Sequence, residues 1–110
     1  MKTMEEYLKE VARRELLTRE EEQELLAAVQ QKGTDCEEMT KLEDSNSSFI
    51  IALSLQYKRP ESSFEGFVNA GKNGLRMAAL QYKPESCKSF IRFAVPFIRE
   101  EMQKKLDLSK

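Results

Sequence analysis

The residues with the most chemistry to offer lie toward the C-terminal end of the chain. Phe90, Phe93 and Phe97 recur at helical spacing, and Arg92 and Arg99 fall on the face opposite that ridge. Tyr82, Lys83 and Lys88 precede them. Rings on which bases can stack, near cations that can meet phosphates, are what a single-stranded nucleic acid requires of its binding site. A second reading stands beside the first: three phenylalanines on one helix can equally fill a core. Bond-making chemistry finds less support. The chain has no histidine, and its two cysteines, Cys36 and Cys87, form no C-x-x-C pair. That argues against a zinc centre or a redox couple. The carboxylates read as helix-surface acids, so no catalytic residue, metal ligand or cofactor is expected, and the chain reads as a non-enzyme.

The scaffold that must carry these residues is small and helical. At 110 residues, with 40% hydrophobic and 34% charged side chains and few glycines or prolines, the chain fits a single soluble domain with one core. Its net charge of −1 conceals a split. Residues 1–56 hold seven basic and thirteen acidic side chains, a net of −6, and residues 57–110 hold eleven and six, a net of +5. A basic half suits nucleic acid and an acidic half suits protein, although charges that merely solvate helix faces give the same count. The longest apolar run, Phe49 to Leu53, is too short to cross a bilayer, and Lys2 onward is charged rather than signal-like. The expected setting is the cytoplasm, with reduced thiols and no membrane partner.

Taken in order, the sequence predicts a helix pair over residues 1–33 and a helical core over 34–110. Thr3-Met4-Glu5-Glu6 and Thr18-Arg19-Glu20-Glu21 are capping-box signatures, and Gly33 suits a helix end. Thr34-Asp35-Cys36-Glu37 is a third box, opening a long segment with Met39, Leu42, Phe49, Ile50, Leu53 and Tyr57 at helical spacing. The polar stretch from Glu43 to Ser48 predicts a kink or break, and Pro60 a stop. A fourth helix starts at Ser62-Ser63-Phe64-Glu65, and Pro84 marks the turn after it. Gly66, Gly71 and Gly74 inside it each cost about 1 kcal/mol relative to alanine, for which close helix packing is the simplest reason. The last helix is expected from Ser89 to Leu106, with Ile91, Ala94, Val95, Ile98 and Met102 as its core stripe and Pro96 kinking it. The fold class is therefore all-α, a bundle of about five helices.

Four stretches together resemble region 2 of the bacterial RNA polymerase sigma factors of the sigma-70 family. Tyr7-Leu8-Lys9-Glu10-Val11 with Leu16-Leu17-Thr18-Arg19-Glu20-Glu21-Glu22 resembles the segment just before that region. Leu42, Asn46, Ile50-Ile51 and Tyr57 fit the helix that follows. Ser63-Phe64-Glu65, Phe67-Val68-Asn69-Ala70-Gly71 and Gly74-Leu75 are similar to the helix that grips the core enzyme. The run from Phe90 through Phe93-Ala94-Val95-Pro96 to Glu101-Met102 resembles the promoter-reading helix of alternative sigma factors. The resemblance implies a transcription-initiation module that binds RNA polymerase core through Glu65, Asn69, Lys72, Asn73 and Arg76. It also implies that the module holds the single-stranded −10 promoter region through Tyr82, Lys83, Lys88, Phe90, Arg92, Phe93, Phe97 and Arg99. An anti-sigma protein is a further partner it implies. Gly66, Ala70, Asn73, Ser86, Cys87 and Lys88 depart from the family pattern. Those departures imply an alternative, a regulatory module that binds polymerase or a sigma antagonist without reading DNA.

Overall fold

Thr18 opens the first helix by both halves of a capping box. Its hydroxyl accepts from the Glu21 amide, and the Glu21 carboxylate accepts from the Thr18 amide, each at 3.1 Å. The backbone hydrogen bond to Thr18 holds the Glu21 carboxyl below the ordinary carboxylate range. In this computed structural model residues 17–57, 64–83 and 89–108 are described. They form five α-helices: α1 (Arg19–Lys32), α2 (Glu37–Ser45), α3 (Ser47–Tyr57), α4 (Phe64–Gln81) and α5 (Phe90–Leu108). Among the described residues there is no strand, and no helix is long and apolar enough to cross a membrane. The expected helix around Met4–Val11, the Thr3 and Ser62 caps, and the breaks at Pro60 and Pro84 lie outside the described residues.

Two local expectations hold and one is corrected. Gly33 ends α1 at φ 88°, where a residue without Cβ sits at no steric cost. The expected break falls at Asn46, between α2 and α3. Its physical cause is competition for backbone acceptors. Asn46 Nδ2 and Ser45 Oγ both donate to the Leu42 carbonyl, and Ser47 Oγ donates to the Asp44 carbonyl. The Thr34 box does not form. The N-cap of α2 is Cys36, which makes no side-chain capping bond. Its thiol instead donates back to the Gly33 carbonyl at 3.3 Å, within the turn that leaves α1.

The core is continuous through all five helices. Leu26 and Val29 from α1 join Met39 and Leu42 of α2, Ile50, Ile51 and Leu53 of α3, and the inner faces of α4 and α5. The tightest seam is α4 against α5. A Cβ added at Gly74 would lie 2.5 Å from the Phe97 carbonyl oxygen and 2.6 Å from Ile98 Cα, both backbone atoms. At Gly71 it would meet Ile50 Cγ2 and Met102 Cε, both at 2.8 Å and both side-chain ends. The glycines therefore set the distance between the two longest helices, and α5 continues as helix through Pro96 along that seam.

This difference between backbone and side-chain neighbours is testable. Gly74→Ala should lower stability by about 1–3 kcal/mol through overpacking, because a backbone cannot turn aside. Alanine's better helix propensity, about 1 kcal/mol, offsets only part of this. Gly71→Ala should lose less, since Met102 can change rotamer. Urea unfolding of the two variants checks the order, and a Gly74→Ala protein as stable as wild type would overturn it.

Candidate functional site

The aromatic ridge divides on folding. Phe90 is 0% exposed and Tyr82 4%, so both are core side chains and neither offers a ring face to an incoming base. Tyr82 stands edge-on to Phe90 at 5.6 Å and to Phe93 at 5.5 Å between ring centroids. Phe93 in turn lies 5.4 Å from Phe97. The buried line of α5 is Phe90, Ala94, Ile98 and Met102, a straight i, i+4 series, whereas Ile91 and Val95 are only half-buried. The expected core stripe is thus rotated toward the ridge. A straight row of side chains fits the shallow groove that Gly71 and Gly74 leave on α4.

What remains for a ligand is Phe93 and Phe97, both half-buried, with Arg92, Arg99 and Lys83 exposed. The start of α5 is held by Ser89, whose hydroxyl accepts from the Arg92 amide at 3.4 Å. Lys88 lies outside the described residues. Further along, Lys104 is paired with Glu101 at 3.0 Å and Glu100 at 3.7 Å, so two carboxylates offset its charge on this stretch of α5.

The outer face of α4 carries Asn69, Asn73 and Arg76, all exposed, together with Met77 at 40% and Leu80 at 49%. Lys72 and Glu65 are half-buried at its margin, and Glu65 Oε2 is buried with no hydrogen-bond partner. The expected solvent-facing set is therefore narrower than the pattern implied. Arg76 is also committed within the molecule. Its Nε donates to Glu43 Oε2 at 3.1 Å and its Nη2 to Glu43 Oε1 at 3.4 Å, a fork that fastens α2 to α4. Glu43 is 6% exposed. A signal for it exists in the sequence: Glu43 is four residues beyond Met39 and next to Leu42, on the apolar side of α2.

Two features had no sequence signal. Gln30 Nε2 donates to the carbonyls of Ala79 at 3.0 Å and Tyr82 at 2.7 Å, capping the end of α4 from α1. At the other end of α1 a half-open cleft of about 290 Å³ is lined by Leu17, Thr18, Arg19, Glu22, Gln23, Tyr82 and Ser89. Burial pushes the Glu22 carboxyl up, and neighbouring Arg19 partly counters it. Among the described residues no group of histidine, cysteine, aspartate and glutamate side chains could hold a metal ion. Comparison with protein-family models and with curated proteins finds no match to this chain.

Two outcomes are expected from these contacts. Arg76→Ala leaves Glu43 buried without its fork and should cost about 1–3 kcal/mol, less than a fully buried pair because Arg76 is 44% exposed. Glu43→Gln combined with Arg76→Gln should recover most of that loss in thermal melting. Recovery of none of it would show that the carboxylate is not the source. For Glu22 the folded value lies above the unfolded one, so the folded state holds the proton more tightly. Its ionisation therefore opposes folding as pH rises through that range, and the penalty vanishes below the unfolded value. Glu22→Gln should melt no lower than wild type at neutral pH, with the advantage shrinking on acidification. An advantage that grew in acid would contradict the burial argument.

Proposed function

We propose that this domain is a sigma-factor-like transcription-initiation module, which docks on RNA polymerase core through α4 and holds unpaired promoter DNA against α5. The observation that carries the reading is the pair of adjacent, partly open rings, Phe93 and Phe97, on a helix whose exposed side holds Arg92 and Arg99. Stacking on such rings, with phosphates met by cations on the opposite face of the same helix as the strand wraps it, needs no bond to be made or broken. With Tyr82 and Phe90 in the core, base capture falls to Phe93 and Phe97 alone. For the polymerase, the open surface of α4 is Asn69, Asn73 and the apolar Met77 and Leu80, with Arg76 shared with Glu43.

A second reading has its own observation. Two of the four ring positions are core side chains, and Lys104 is paired with acids. That weakens a DNA surface and leaves the α4 face intact, which suits a regulatory module that binds polymerase or a sigma antagonist without reading DNA. The two readings separate in one titration series. On the leading reading, single-stranded DNA of −10 type binds weakly and salt-sensitively, and Phe93→Ala loses about 1–3 kcal/mol of binding. Arg99→Ala weakens all sequences alike and makes the salt slope shallower. Thermal melting of each variant separates lost binding from lost fold. A folded Phe93→Ala protein that binds as wild type does would end base capture. Retention on core polymerase that survives an Asn69→Arg, Asn73→Arg double substitution would end docking through α4.

A further inference from the structure

Gln30 is an exposed residue of α1, yet its side-chain amide is the donor that closes the end of α4. An amide nitrogen carries two protons. Here Nε2 directs them to the carbonyls of Ala79, at 3.0 Å, and Tyr82, at 2.7 Å. Ala79 lies in the last turn of α4, where carbonyls have no partner within the helix. The Tyr82 carbonyl belongs to the peptide that leads on to Lys83. Holding it fixes the direction of the chain as it leaves α4, and with it the start of the Tyr82 side chain. The Tyr82 ring, 4% exposed, meets Phe93 edge-on at 5.5 Å and 73°, and Phe93 meets Phe97 at 5.4 Å. Gln30 thus stands at the head of a series of contacts that ends in the two half-open rings.

Resting on the nucleic-acid reading above, we infer that Gln30 is a positioning residue for base stacking: by donating to Ala79 and Tyr82 it holds the Tyr82 ring against Phe93, and Phe93 in the attitude that a base meets. An edge-to-face pair has a preferred separation and tilt, so a ring that shifts takes its neighbour with it. Phe90 does not share this dependence, because it is 0% exposed and held by the core around it. Phe93 is half-buried, with Tyr82 and Phe97 as its ring neighbours, and a movement of Tyr82 reaches it directly. Gln30 makes no contact with the strand. Its two donors are spent inside the molecule, and the ring carries its effect on binding.

Titration of a fluorescent single-stranded oligodeoxynucleotide into the full chain at two salt concentrations tests this, together with fluorine NMR of protein carrying fluorophenylalanine. Gln30→Met keeps length and neutrality and removes both donors. It should bind about two- to tenfold more weakly, part of the loss expected for a whole stacked base, with an unchanged salt slope because no phosphate-contacting cation is lost. The Phe93 resonance, assigned through Phe93→Leu, should shift, while that of Phe67, which packs on Tyr57 instead, stays in place. Gln30→Lys restores a donor of similar reach. It should recover the Phe93 resonance and, at the higher salt where its added charge is screened, the affinity. Equal affinity of wild type and Gln30→Met would overturn the positioning role while leaving DNA binding in place. Weaker binding with an unmoved Phe93 resonance would overturn it as well, because the effect would then bypass the ring. A Gln30→Met chain without helices by circular dichroism would make the bonds a condition of folding, which also overturns it. Absence of binding by wild type would overturn the nucleic-acid reading itself, and the positioning role with it.

Discussion

The distance between α4 and α5 is the constraint on which the rest depends. Gly74 brings the Phe97–Ile98 backbone close enough that no Cβ fits between. From that contact the rotation of α5 follows, because the groove over Gly71 and Gly74 accepts one straight row of side chains. Ile98 and Met102 meet the glycines there, and Ala94 and Phe90 continue the same buried row. Once they do, Phe93 and Phe97 are left at the margin and Arg92 and Arg99 face outward. The surface that α5 leaves open is thus a remainder, fixed by which residues the α4 seam consumes. The same seam turns Val68, Leu75 and Ala79 inward on α4 and leaves Asn69, Asn73, Arg76, Met77 and Leu80 outside.

Much of the scaffold was legible because its signals are local. The Thr18 box, the Gly33 end and the Asn46 break each depend on side chains within a few residues of the backbone group they satisfy. The Thr34 box failed for an equally local reason: the turn at Gly33 spends the next three residues before helical geometry resumes at Glu37. The split of the aromatic ridge was not legible. Periodicity places Phe90, Phe93 and Phe97 on one arc but cannot say where the neighbouring helix sits around it. Gln30 lay further out of reach, since its acceptors are 49 and 52 residues away. Glu43 is the intermediate case. Its place on the apolar side of α2 marked it as needing a partner, while Arg76 as that partner required the tertiary fold.

The Glu43–Arg76 fork also changes how the outer face of α4 is understood. An arginine on an exposed helix face ordinarily reads as a docking cation. Here its guanidinium already satisfies a carboxylate that is 6% exposed. A partner acid that captured Arg76 would leave Glu43 buried and uncompensated, a penalty that offsets most of the new contact. On the proposed function, recognition at α4 would consequently rest on the amides Asn69 and Asn73 and on the apolar Met77 and Leu80. Those groups favour a partner that offers hydrogen bonds and apolar contact more than one that offers charge.

Charge balance points the same way for nucleic acid. A net of −1 gives the chain little long-range attraction for a polyanion, and Glu22 in the acidic first turn of α1 lines a cleft with Arg19 and Tyr82. Stacking on Phe93 and Phe97 acts only at contact, and Arg92 and Arg99 act within a Debye length. Such a surface captures a strand poorly from dilute solution and well when the strand is delivered to it. Docking through α4 would supply that delivery, because a tethered strand is held at high effective concentration next to α5. On the proposed function the two faces are therefore not independent: the weakness of the α5 surface in isolation is what makes its occupancy depend on the α4 partner.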